Sequence, residues 1–384
     1  MWYLNIYTIL SLGGLIILSA VLNKLLGSRF KEIRKIMLLL FNVGFILVFS
    51  RRLAVFYLVY AFANHLLFLL LFRTRAFKKT LFIISVLLNI GAFVLLRLFD
   101  EGVFSNYLFA PVIIIGFVYA MLKVINALYY AYYFDTRIPF INYLNYILFV
   151  PTFTSGPILK LKDFSSELDS SYEFDGGLAE GGIKRIIKGM FKKIVLVEVL
   201  SVVYSTLLAG ELNFYKSAAA LLSFYLLLFF DFSGYSDVAI GFGSLLGFKI
   251  PENFKKPFSS PTLVQFWRNW HATLGDWFRD HVFMLLLRRN NSRVYAGLVS
   301  FIIIILIGMW HEFNLLFLLW GVYHGILLFI ENVFNLTTVI KRKVHPAYFW
   351  TRCAVTNLLV SFGMIFFSKD LETAGRILRG FLSL

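Results

Sequence analysis

The sequence predicts an all-α polytopic membrane protein with about 10–13 transmembrane or re-entrant helices. Of its 384 residues, 59% are hydrophobic and only 15% are charged, whereas soluble domains carry about 25% charged residues. Mean hydropathy is +0.78, which is too high for a single water-soluble core. The apolar segments are long and uniform, and this favours helices over the alternating strands of a membrane barrel.

Apolar segments run from residues 2–22 to residues 348–367, and they predict a single integral-membrane domain over residues 1–384. Two of them, residues 218–230 and 240–248, are shorter than the roughly 20 helical residues that cross a bilayer. Short apolar pieces separated by glycine and polar residues predict buried or re-entrant half-helices between residues 231 and 289.

The net charge of +16 does not predict a nucleic-acid partner in so apolar a chain. Basic loops orient membrane proteins and contact anionic lipid headgroups. Docking of an acidic soluble partner is a third interpretation that stays open. Cys353 is the single cysteine, so the sequence excludes an intramolecular disulfide and a metal site built from several thiolates. No metal centre is predicted.

The longest hydrophilic stretch, residues 160–193, ends in a basic amphipathic segment. This pattern is typical of a helix that lies on the membrane surface, here on the cytoplasmic side. Its apolar face carries Ile183, Ile186, Ile187 and Met190. The basic residues beside that face are Lys184, Arg185, Lys188, Lys192 and Lys193.

The segment FFDFSGYSDVAIGFGSLLGFKIPENFKKPF places Asp231 and Asp237 within apolar sequence. A carboxylate at membrane depth is costly, so each aspartate is expected to face water or a partner. The glycines of this segment permit either close helix packing or a broken helix. For each aspartate, a structural break and a functional role both stay open.

The segment FWRNWHATLGDWFRD interleaves tryptophans with charged residues. On a helix, Trp267, Trp270 and His271 share one face, and Arg268 lies off it. An interfacial helix with an aromatic belt would explain where this segment lies. It would not explain an imidazole on the tryptophan face, which predicts that His271 lines a functional cavity.

His311 lies in the apolar run IIIILIGMWHEFNLLFLLWG. Burial of an imidazole there is costly unless it faces a cavity or a partner, and histidine is well suited to proton transfer near neutral pH. On a regular helix Glu312 points away from His311, whereas Asn314 at i+3 is better placed. These observations leave both a structural role and a catalytic role open for His311.

These segments, with FVPTFTSGPILKLKDF and GMWHEFNLLFLLWGVYHG, resemble the membrane-bound O-acyltransferases (MBOAT), in the bacterial branch of DltB and AlgI. The resemblance covers about residues 140–370, the expected catalytic core, and residues 1–139 match only in hydropathy and order. It implies a ring of transmembrane helices around a thin central core with a tunnel. The family's active-site histidine falls on His311 and its second histidine on His271.

The resemblance also implies a reaction. A D-alanyl group would pass from the phosphopantetheine thioester of an acidic carrier protein in the cytoplasm to a hydroxyl outside, for modification of teichoic acid. O-acetylation of an exported polysaccharide is the alternative. The implied tunnel residues are Trp267, Arg268, Trp270, Trp310, Ser233, Tyr235, Asp231, Asp237, Glu312 and Asn314. The implied carrier-docking residues are Lys184, Arg185, Lys188, Lys192 and Lys193.

No tightly bound cofactor is expected, because the carrier protein brings the donor. Expected partners are the carrier, other membrane proteins of the pathway, the lipid bilayer, and an extracytoplasmic polymer or relay acceptor. The expected location is the bacterial cytoplasmic membrane. One departure from the family pattern bears on the substrate: Glu312 replaces the usual glycine after the histidine.

A transporter or channel is the rival interpretation, because intramembrane charges and broken helices also form transport pathways. The sequence shows no internal inverted repeat, and its polar residues concentrate in one stretch. Consumption of an acyl thioester in the presence of an acceptor would separate the two classes.

Overall fold

The computed structural model describes residues 6–100, 116–171, 175–287, 292–368 and 370–383. Every regular element within those ranges is a helix, as the sequence predicts. The α-helices are α1 (Ile6–Leu26), α2 (Phe30–Phe49), α3 (Arg51–Arg73), α4 (Lys78–Asp100), α5 (Phe117–Phe134), α6 (Phe140–Leu148), α7 (Leu161–Leu168), α8 (Gly176–Phe191), α9 (Val197–Leu208), α10 (Phe214–Leu245), α11 (Leu263–Asn269), α12 (Ala272–Phe278), α13 (Met284–Leu287), α14 (Arg293–His311), α15 (Leu315–Val333), α16 (Pro346–Gly363) and α17 (Leu371–Leu382).

Seven helical segments within the described ranges are long and apolar enough to cross a membrane. They are Ile6–Leu26, Arg51–Arg73, Arg75–Leu98, Phe214–Leu245, Arg293–His311, Leu315–Val333 and Pro346–Phe367. The prediction of a polytopic helical membrane protein is thereby confirmed. Residues 110–115, which begin one of the predicted spans, lie outside the described ranges. The ring of helices and its tunnel stay predictions.

Helix α10 corrects the prediction of two separate short apolar segments at residues 218–230 and 240–248. It is one continuous helix of 32 residues. Its glycines serve close packing instead of a break: a methyl group at Gly241 would lie 2.6 Å from the carbonyl oxygen of Gly182. A methyl group at Gly234 would similarly lie 2.9 Å from the carbonyl oxygen of Gly189. Small residues let helix backbones approach this closely in membrane proteins.

The chain forms two compact units. The first comprises residues 1–188 and 235–251. Buried amides join its helices: the Asn42 side chain donates to the Asn145 side chain at 3.2 Å, and Asn145 donates to the carbonyl of Lys35 at 2.9 Å. Arg34 donates to the carbonyl of Leu246 at 2.9 Å. In an apolar environment such buried polar groups need partners, and here helices α2 and α6 supply them to each other.

The second unit comprises residues 189–234 and 252–384. Helices α14 and α15 form a hairpin whose backbones nearly touch. A methyl group at Gly308 would lie 2.5 Å from the carbonyl oxygen of Phe317, and one at Gly321 would lie 2.7 Å from the Cα atom of Ile305. His311 is the last residue of α14, so this hairpin sets its position.

A carboxylate fixes the start of α11 in the same unit. Glu331 of α15 accepts hydrogen bonds from the backbone N–H groups of Leu263 at 2.8 Å and Val264 at 2.9 Å. The first N–H groups of a helix have no partner within the helix, and a negative charge there is favourable. Thr262 adds a side-chain cap by accepting from the N–H of Gln265 at 3.1 Å. Helix α11, which carries Trp267, is therefore anchored to α15.

Candidate active site

His271 lies at a break between two short helices. Helix α11 ends at Asn269 and α12 begins at Ala272, so the prediction that Trp267, Trp270 and His271 share one helix face is wrong. The backbone of His271 is left-handed, with φ 45° and ψ 47°. This conformation costs a residue other than glycine about 1–2 kcal/mol. It persists only where surrounding contacts hold it.

Those contacts come mainly from Asn253. The Nδ1 atom of His271 lies 3.1 Å from Oδ1 of Asn253. The same oxygen accepts from the backbone N–H of Thr273 at 3.3 Å and from its hydroxyl at 2.9 Å. The imidazole ring packs edge-on against Phe232, with ring centroids 4.5 Å apart. Its Nε2 atom is buried without a hydrogen-bond partner among the described residues.

Burial keeps the His271 side chain neutral. Removal from water, and secondarily the charge of His311, lower the pKa of His271 well below its usual 6.5. The residue lies outside the seven apolar helices. At neutral pH it therefore presents one N–H donor and one lone pair.

His311 is half-buried, and aromatic side chains surround its ring. Its ring centroid is 4.8 Å from that of Trp310, 5.9 Å from Phe317, 5.8 Å from Phe367 and 6.4 Å from Trp320. Such walls limit the access of bulk water to the imidazole.

The residues after His311 do not continue its helix. Glu312 is exposed and extended, with φ −159°. Asn314 caps α15, where its side-chain oxygen accepts from the N–H of Phe317 at 2.9 Å. The expectation that Asn314 stands at helical i+3 spacing from His311 is therefore wrong. A helix that ends at residue 311 leaves the imidazole at a chain turn.

Trp310 contacts both histidines. Its ring centroid is 6.3 Å from that of His271 and 4.8 Å from that of His311. Trp267 packs edge-on against Trp320 at 5.3 Å, and Trp320 contacts the ring of His311. The second unit thus brings four of the predicted site residues into one aromatic cluster. They are the two histidines, His271 and His311, and the two tryptophans, Trp267 and Trp310.

The other predicted tunnel residues contact different partners. Trp270 stacks on Tyr225 with ring centroids 5.6 Å apart, and Arg268 is exposed. In the first unit, the Tyr235 hydroxyl donates to the carbonyl of Pro151 at 3.2 Å. Ser233 of the second unit accepts from Lys192 at 3.2 Å.

Both aspartates of α10 have cationic partners. In the second unit Asp231 pairs with Lys193, whose side chain is buried. In the first unit Arg185 donates from Nε to Asp237 at 2.9 Å. The expectation that each carboxylate faces a partner is met, and the partners are residues that the sequence assigned to a docking surface.

The five basic residues of the amphipathic segment consequently divide into two groups. Arg185, Lys192 and Lys193 contact α10. Lys184 and Lys188 are exposed, and Lys184 pairs with Glu180 one turn earlier. Within the segment, the exposed positive charge is therefore that of Lys184 and Lys188.

Sequence reasoning missed the residues that support the two histidines. Asn253 lies in the loop segment PENF, where no periodicity marks it, and Glu331 lies in an apolar helix far along the chain. Trp320 carries a weak signal, because it stands in the segment FLLWGVYHG quoted for the family resemblance. Glu331 did carry a usable signal, because an ionisable residue inside an apolar run is expected to have a specific partner.

Comparison with known proteins matches residues 34–369 to the family model of the membrane-bound O-acyltransferases. A probable alginate O-acetylase of Pseudomonas fluorescens is 34% identical over 62% of this chain and 47% of the relative. The teichoic acid D-alanyltransferase of Bacillus subtilis is 32% identical over 60% of the chain and 62% of the relative.

A peptidoglycan O-acetyltransferase of Helicobacter pylori is 30% identical over 64% of the chain and 47% of the relative. The matched region thus spans about half the length of the two O-acetylating relatives. The described residues include seven helices that are apolar enough to cross a membrane, and the chain is a multi-pass membrane protein, which in bacteria means the cytoplasmic membrane. The chain belongs to the membrane-bound O-acyltransferase family, in the branch of these three relatives.

Proposed function

We propose that this chain transfers an acyl group from a thioester to a hydroxyl, with His311 as the general base. The observation that supports this proposal is that the ring of Trp310 contacts the rings of both His271 and His311. The hydroxyl oxygen attacks the thioester carbonyl, and the new C–O bond replaces the C–S bond. His311 takes the hydroxyl proton and returns it to the leaving thiolate. Because a thioester is already activated, alignment and removal of one proton are the main tasks of the enzyme.

His271 orients the donor or stabilises the oxyanion in this proposal. Trp267, Trp270 and Trp310 wall the thin core in which the reaction takes place. Exclusion of water there suppresses hydrolysis of the thioester, which would waste the donor. The half-buried ring of His311 and the buried ring of His271 fit a site with limited solvent access.

For the substrates we propose D-alanyl transfer from an acidic carrier protein to teichoic acid. Glu312 supports this choice, since an exposed carboxylate next to the base suits a donor with a cationic amine. The Bacillus subtilis relative is named as a teichoic acid D-alanyltransferase. O-acetylation of an exported polysaccharide has comparable support from the relatives named as O-acetylases. Other membrane proteins of the pathway and a polymer or relay acceptor complete the proposed set of partners.

The direct test uses the purified chain in lipid vesicles. We expect ester formation on a hydroxyl acceptor together with thiol release when D-alanyl carrier protein is supplied. An acetyl thioester supplied in parallel decides between the two acyl groups. A transporter would release no thiol and form no ester from either donor, and this result would contradict the proposal.

We propose that Lys184 and Lys188 form the docking site for the carrier. Replacing both with glutamate is expected to raise KM for the carrier-bound donor about tenfold, with little change in kcat, because surface charges act mainly on encounter. The effect should shrink as salt is added. Reversal of the exposed Arg342 and Lys343 is the matched control, with the same change in net charge. An equal KM in the two double variants would exclude docking at Lys184 and Lys188.

A further inference from the structure

The hydrogen-bond network around Asn253 determines which atom of His271 carries its proton. The backbone N–H of Thr273 can only donate, and it points at Oδ1 of Asn253 from 3.3 Å. A flipped amide would place an NH2 group against that N–H, with no acceptor between them. The Thr273 hydroxyl lies 2.9 Å from the same atom and donates to it as well. The atom that faces these groups is therefore the carbonyl oxygen.

An oxygen that faces Nδ1 of His271 at 3.1 Å requires a hydrogen on that nitrogen. A neutral imidazole carries a single N–H, so the hydrogen on Nδ1 leaves a lone pair on Nε2. Nε2 is the atom of His271 that is buried without a partner among the described residues. The nitrogen that remains for a substrate is thus an acceptor.

Asn253 also holds the backbone next to the imidazole. Its own carbonyl accepts from the N–H of Ala272 at 2.8 Å. Its side-chain oxygen contacts residues on both sides of Ala272, and Asn253 itself is fully buried. Contacts to three successive residues explain how the left-handed conformation of His271 is maintained.

We propose that Asn253 is a positioning residue that fixes His271 as the Nδ1–H tautomer, so that Nε2 accepts a hydrogen bond from an O–H or N–H group of the bound substrate. This inference rests on the proposed acyl transfer and refines it. Stabilisation of an oxyanion requires a hydrogen-bond donor, and Nε2 is not one in this tautomer. Of the two roles given above for His271, orientation of a substrate is the one that the network supports.

The tautomer can be measured without any assay of activity. The chain is labelled with 15N-histidine, placed in lipid vesicles and studied by solid-state NMR at neutral pH. The His271 signals are identified by their loss in His271→Gln. We expect a protonated Nδ1 and an unprotonated Nε2 at this residue, and a changed Nδ1 signal in Asn253→Leu. A protonated Nε2 in the unaltered chain would overturn the inference, even if acyl transfer itself is confirmed.

Kinetics then separate positioning from simple structural support. Asn253→Leu should lower kcat about 10- to 100-fold, the usual range for loss of a group that orients a functional histidine. KM for the donor should change less. Asn253→Asp should retain more activity, because a carboxylate accepts the same hydrogen bonds. Its charge should raise the pKa of His271, so the acid side of the kcat profile should move to higher pH.

His311 is the titratable group that acts electrostatically on His271, so its pKa must be followed in the same samples. Asn269 supplies the matched control. It is the last residue of α11, and its side chain donates to Ser260 at 2.9 Å. Asn269→Leu and Asn269→Asp should leave the pH profile unchanged. Wild-type kcat in Asn253→Leu, or an unshifted profile in a folded Asn253→Asp, would overturn the positioning role.

Discussion

Replacing His311 with glutamine is expected to reduce acyl transfer at least about 100-fold, because a general base contributes roughly 10²–10⁴-fold. Glutamine is close to histidine in size and can hydrogen-bond, but it does not take a proton at neutral pH. The ring of His311 is half-buried at a helix end, so the protein should still fold. The measurement is ester formation and thiol release in lipid vesicles, with thermal unfolding recorded on the same sample.

A second histidine serves as control. His345 is exposed at the start of α16, and His345→Gln should transfer acyl groups at the wild-type rate. If His311→Gln also transfers at that rate, His311 is not the base. If thiol is released without ester, the defect lies in the capture of the acceptor hydroxyl. A loss in both products is the outcome that supports proton removal by His311.

Replacing Gly321 with valine is expected to separate α14 from α15. The new Cβ would lie 2.7 Å from the Cα atom of Ile305 and 3.3 Å from the carbonyl oxygen of Ile304. Backbone atoms cannot rotate away as a flexible side chain does, so the helices must move. Overpacking of this kind costs about 1–3 kcal/mol, and more where relaxation is blocked. We expect a clear drop in thermal stability in detergent and loss of transfer, since His311 ends the displaced helix.

Gly91 provides the comparison for this variant. It lies in the apolar helix α4, and a methyl group added there would meet no atom within 4 Å. Gly91→Val should therefore unfold near the wild-type temperature and retain activity. If both valine variants unfold together at a lowered temperature, the cause is helix propensity or insertion. The close contact of α14 and α15 would then not be the reason.

The class of fold follows from the sequence because hydrophobic composition and long uniform apolar runs leave helices as the main solution in a membrane. Breaks within that fold do not follow so readily. Asp231, Gly234 and Asp237 resemble a helix break, yet α10 continues through them. Lys193 and Arg185 neutralise the two carboxylates, and close packing uses the glycine. These partners lie far away in sequence, so local patterns do not reveal them.

The histidines of the site could be recognised because an imidazole in apolar sequence is unusual and the motifs around it resemble a known family. The residues that support these histidines could not be recognised from the sequence. The residues around His271 have helical spacing, and the break there is set by Asn253, a residue 18 positions earlier in the chain. Similarly, the sequence shows that the amphipathic segment is basic, but it does not show which of the basic side chains are paired with carboxylates. Lys193 is buried against Asp231, whereas Lys188 is exposed.

The left-handed backbone at His271 also limits how this position can change during evolution. Glycine, asparagine and aspartate enter that region of conformational space with the least strain, whereas β-branched residues are strongly disfavoured. Among the three, asparagine alone combines an uncharged side chain with an acceptor oxygen. Chain geometry therefore restricts the tolerated replacements at residue 271 to a few residue types, and the need for an uncharged acceptor leaves asparagine among them.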